Sequence, residues 1–118
     1  MDSEGQWLSI EDAVAVEALL RLSVGFHDGV TDLARWVGQE RVDEDGHLSL
    51  GGPGDLIIVV SSQLQAVPRL ELRFGNVSRF LYNYSWDLVA RVELGAEGLV
   101  AKFLNWEVSA ESLRYRVL

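Results

Sequence analysis

Apolar and charged residues alternate most cleanly over residues 69–74, where Leu70, Leu72 and Phe74 interleave with Arg69, Glu71 and Arg73. A period of two is that of a half-buried strand, so the three apolar residues are expected to face inward and the three charged ones to face water. Residues 87–94 repeat the pattern with Leu88, Ala90, Val92 and Leu94, and residues 112–118 repeat it with Leu113, Tyr115 and Val117 against Arg114 and Arg116. Residues 99–104 form a further strand after the turn at 95–98. Residues 55–63 contain an unbroken apolar run at 56–60, which predicts a strand covered on both faces and set centrally in its sheet. A different period governs the start of the chain. Ala13, Val16, Leu19 and Leu20 recur at helical spacing, Ser9 stands in the N-cap position and Asp12 in the capping-box position, so a helix is expected over about 10–23.

Glycine and proline punctuate these elements. Gly25 closes the helix, Gly51, Gly52, Pro53 and Gly54 make a loop that cannot continue a ladder, and Gly75 with Asn76 predicts a turn after residue 74. Residues 30–38 fit either period: Val30, Leu33 and Val37 suit a helix, while the β-branched and aromatic content suits a strand, and strand is preferred. The resulting fold class is α+β, mainly β. It is an antiparallel meander-like sheet or small sandwich with one N-terminal helix packed on it, in a single domain spanning 1–118.

Composition agrees with a folded domain, since 48% of the 118 residues are hydrophobic and 24% charged. There is no cysteine, which removes disulfides, metal–thiolate sites and cysteine nucleophiles together. The first residues are acidic rather than basic, the reverse of a secretory leader, and no apolar run approaches the roughly 20 residues that cross a bilayer, so the expected location is cytoplasmic. The formal charge of −8, from 18 acids against 10 basic residues, repels phosphate backbones and anionic lipid. Neither nucleic acid nor membrane is expected as a partner; the acidic charge either only keeps the chain soluble or meets a basic protein partner.

Candidate chemistry is sparse. His27 beside Asp28 could serve as a base or metal ligand, but the only other histidine is His47, and the expected role of the pair is to tie down a strand. No nucleophile elbow or phosphate-binding loop is present, Ser61 and Ser62 fall on a core strand, and the sequons at Asn76 and Asn83 are of a frequency met by chance. No catalytic residue, metal ligand or cofactor is therefore assigned. Two features suit partner binding instead. Asp43, Glu44 and Asp45 concentrate charge before Gly46 in a stretch too polar to bury, and Tyr82, Tyr84 and Trp86 alternate so that an extended chain projects all three rings on one side, where they either fill the core or meet a partner.

Three short motifs carry a resemblance. Phe26-His27-Asp28-Gly29 opens the strand region, Leu72, Phe74, Gly75 and Val77 follow a hairpin with a one-residue difference in spacing, and Ala110 with Leu113 stands in the closing strand. Over residues 26–118 the chain resembles small β-rich bacterial proteins akin to the immunity proteins of polymorphic toxin systems; the N-terminal helix and the glycine-rich loop depart from that pattern. The resemblance implies a non-enzymatic, toxin-neutralising, protein-binding domain. A self-associating structural protein, closed as a homodimer, and a small-ligand or sugar-binding module are the alternatives.

Overall fold

The computed structural model of the chain describes residues 6–26, 29–38, 41–42, 44–49, 54–62, 69–82 and 90–118. The elements run β1 (Leu8–Ser9), α1 (Ala13–Leu22), a 3-10 turn (Val24–Phe26), β2 (Gly29–Val37), β3 (Arg41–Val42), β4 (Leu48–Ser49), β5 (Asp55–Ser62), β6 (Arg69–Tyr82), β7 (Arg91–Gly95), β8 (Gly98–Phe103) and β9 (Trp106–Val117). One antiparallel sheet holds seven of these strands in the order β2-β5-β6-β9-β8-β7, with β1 pairing with β9, while β3 and β4 form a separate hairpin. The mainly β class, with one α-helix among the described residues, is as expected, and residues 30–37 are strand. Two meanders, β2-β5-β6 and β7-β8-β9, are joined through β6 and β9.

The helix begins later than the spacing suggests. Asp12 is the N-cap, its carboxylate accepting from the Ala15 amide at 2.9 Å. Ser9, expected to cap, instead lies in β1 opposite Arg114. A carboxylate one residue before the first apolar turn satisfies the orphan amides directly, and the backbone at Ser9 gains more from the ladder on β9. Gly25 follows the helix at φ 63°, a left-handed conformation that glycine adopts without strain.

A second departure shapes the molecule. Gly75 and Asn76 do not reverse the chain; β6 runs on through them for 14 residues, paired with β9 from Leu70 opposite Val117 to Tyr82 opposite Trp106. Asn76 sits at φ 50°, its amide donates to Asp55 Oδ1 at 3.2 Å, its side chain donates to Glu111 at 2.8 Å, and the next amide, of Val77, donates to the Gly54 carbonyl. The register then shifts between Val77 and Arg79. These bonds hold a bend, and at such a corner a strand passes from one packed layer to the next.

The bend curls the sheet around one core. Phe74 in the lower half of β6 stacks on Phe103 of β8 at 6.0 Å, and Phe103 also meets Phe26 at 5.0 Å. The start of β2 approaches the β8–β9 turn closely, since a methyl group at Gly29 would touch the Leu104 side chain. Leu19 of α1 is buried with Leu72, Phe74, Phe103 and Leu113, so the helix covers one part of the concave face.

The convex face carries ion pairs around the buried Val59: Arg73 with Asp55 at 3.0 Å, Arg116 with Glu71 at 3.1 Å, and Lys102 with Glu107 at 3.6 Å. Glu71 and Arg73 do project away from the core, but they are half-buried beside these partners rather than freely solvated. Asp55 has the greater duty, because it accepts two bonds from Arg73 and one from the Asn76 amide at the bend. Asp55→Ala is expected to lower stability by about 1–3 kcal/mol and Arg73→Ala by about 1 kcal/mol, measured by urea unfolding. Equal losses would mean that the bend does not depend on the Asp55 carboxylate.

Candidate functional site

The concave face beyond the helix is lined by rings. Thr31, Ala34 and Trp36 of β2 stand opposite Val60, Ile58 and Leu56, so by register they point to the core side of the sheet. A shift between Thr31 and Leu33 places an extra residue, Asp32, in the strand and aligns this set. The Trp36 indole lies over Gly54 and stacks on Phe80 of β6 with ring centroids 5.4 Å apart. Gly54 makes this possible, because a side chain there would meet the Val37 carbonyl oxygen at 2.5 Å and the indole at 2.6 Å.

Phe80 and Tyr82 share one face of β6, opposite Val108 and Trp106 of β9. Tyr82 packs on Trp106 at 4.8 Å, and the Trp106 indole N–H donates to Thr31 Oγ1 at 3.0 Å, which ties the far end of the row back to β2. Trp36, Phe80, Tyr82 and Trp106 thus form a row across the open side of the curled sheet. Trp36 and Phe80 remain 43% exposed and Tyr82 53%, large areas for rings that a closed core would cover.

Of the residues assigned from sequence, Tyr82 is in this row, while Tyr84 and Trp86 lie outside the described residues. Glu44 and Asp45 are exposed in the turn between β3 and β4, as their polarity requires, and Asp43 lies outside the described residues. His27 and Asp28 also lie outside them. Phe80 was missed although it sits two residues before Tyr82 on the same strand, so the alternation could have been followed backward. Trp36 and Trp106 carry no such local signal: Trp106 meets Tyr82 through the pairing of β6 with β9, and Trp36 reaches Phe80 from β2, which is not β6's neighbour in the sheet.

A cleft of about 740 Å³ lies elsewhere, among β1, the β7–β8 turn and the bend at Gly75. Of its charged groups, Arg73 holds Asp55, Glu111 accepts from Asn76, and Arg114 stacks on the Trp7 ring 4.9 Å from its centroid, while Glu11 and Glu97 are exposed. That arrangement secures the bend and the N-terminal strand. Among the described residues no group of three or more histidine, aspartate or glutamate side chains could hold a metal ion, and no helix is long and apolar enough to cross a membrane.

No protein-family model, curated protein or solved structure matches this chain.

Proposed function

We propose that this chain is a non-enzymatic protein-binding domain acting in the cytoplasm, which takes a basic protein partner on the aromatic row. The resemblance to immunity proteins makes that partner a toxin neutralised by being covered. The observation that carries the reading is the row itself: Trp36, Phe80 and Tyr82 leave wide ring area open on the concave face of a chain with a formal charge of −8. Tryptophan and tyrosine are the side chains that most often anchor interfaces. Acidic charge at Glu44 and Asp45 would steer a basic partner during encounter.

Face binding is favoured over pairing through strand edges. The outer edge of β2 carries the bulge at Asp32 and the charge of Arg35, and β7 at the opposite end is short and carries Arg91 and Glu93. Bulges and charges at an edge discourage addition of another strand.

The test begins with a partner cross-linked in cells of the native organism and then purified. Its binding is compared for the wild type, for Trp36→Ala with Tyr82→Ala, and for Asp43, Glu44 and Asp45 all changed to Ser. The ring variant is expected to dissociate roughly thirtyfold faster or more, as loss of interface anchors does. The acidic-turn variant is expected to associate more slowly and with a weaker salt dependence. A partner that binds the ring variant as tightly as the wild type overturns the proposal. So does a wild-type chain that sediments as a dimer and is split by the ring substitutions, which would establish self-association instead.

A further inference from the structure

Resting on the binding reading above, we infer that the aromatic row receives arginine side chains from an extended basic segment of the partner. Three observations point there. Phe80 and Tyr82 are 43% and 53% exposed on a chain that carries excess negative charge, and a cation over an aromatic ring is attracted by its quadrupole. A guanidinium suits this better than an ammonium, because it is planar, stacks on aromatic faces and sheds its water more readily.

The chain also makes this contact within itself. Arg114 and Arg116 both lie over the Trp7 ring, 4.9 and 4.6 Å from its centroid, at the opposite side of the same strand β9. Finally, spacing matches. Phe80 and Tyr82 are two residues apart on one strand, so their rings repeat at roughly 7 Å, the repeat of alternate side chains in an extended peptide. A segment with arginine at every second position therefore sets one guanidinium over each ring, with Trp36 and Trp106 flanking them.

The probes are the synthetic peptides RSRSRS, KSKSKS and ESESES, titrated into the full 15N-labelled chain at moderate salt while the tryptophan indole N–H signals are followed. RSRSRS is expected to give saturable shifts at Trp36 and Trp106 and none at Trp7, whose ring already holds two guanidinia. KSKSKS is expected to bind several-fold more weakly and ESESES not at all. Tyr82→Ser is expected to weaken RSRSRS about tenfold. Tyr82 ends its strand and is more than half exposed, so folding should survive; Phe80→Leu, which keeps an apolar side chain but removes the ring, is the second variant. Arginine and lysine peptides that bind equally, or RSRSRS binding that Tyr82→Ser and Phe80→Leu leave unchanged, would show attraction by net charge alone and overturn the inference. If the purified partner is lost on the ring variant yet RSRSRS neither binds nor competes with it, the arginine assignment falls while the protein-binding reading stands. If the partner ignores the ring variant, the binding reading falls instead.

Discussion

Phe74→Ala is expected to remove about 3–5 kcal/mol of folding stability, a large share of what a domain of this size possesses. Phe74 is fully buried, stands in β6 between Leu56 of β5 and Leu113 of β9, and stacks on Phe103 across the core. Truncation therefore opens a cavity where both halves of the curled sheet and the helix meet, and neighbours held on separate strands cannot collapse into it. Leu72→Ala, one strand period earlier and equally buried, should cost about 2–5 kcal/mol. Arg73→Ala, between them on the opposite face, should cost only about 1 kcal/mol because it loses a half-exposed ion pair. Urea denaturation with a common slope checks all three. A loss at Arg73 as large as at Phe74 would mean that the strand faces the other way.

Gly54→Ala is expected to cost about 1–3 kcal/mol and to disturb the aromatic row from a position with no ring of its own. The new methyl group would press on the Val37 carbonyl oxygen, which is fixed in the ladder to β5, and on the Trp36 indole. Trp36 can yield only by leaving Phe80, so the near-ultraviolet circular dichroism of the stacked pair should fall along with stability. Partner binding should weaken too. In a Trp36→Ala background the clash with the ring is gone while that with Val37 remains, so the double variant should lose less than the sum of the two single losses. Strict additivity would show that Gly54 and Trp36 do not touch in solution.

Much of this architecture was legible in the chain. Alternation at 69–74 and 112–118, and the turn before 99–104, identified strands that are present; of 87–94, residues 91–94 lie in β7 but Leu94 is exposed; and the apolar run at 56–60 belongs to β5, whose Val59 is buried on the face opposite Ile58. The helix was recognised from its 3.6-residue period. Such patterns are local: a side chain's direction follows from its place in the strand or helix, so burial of one face writes itself into consecutive residues.

Glycine and asparagine at 75–76 were misleading because the same residues that permit a reversal also permit a bend. Which one forms was decided by Asp55 and Glu111, which lie 21 and 35 residues away from Asn76 in sequence and bond it in space. Similarly, the aromatic alternation through Tyr82 was visible, yet the row was assembled only by tertiary structure. Trp36 reaches Phe80 over Gly54, and Trp106 reaches Thr31 from 75 residues along the chain. By itself the sequence determined the helical segment, the strands at 55–62, 69–74 and 112–117 with their inward faces, and the acidic net charge, since each depends on neighbours along the chain. Only the folded sheet decided where its long strands bend and which rings meet on its open side, because those depend on contacts between strands whose separation along the chain leaves no periodic trace.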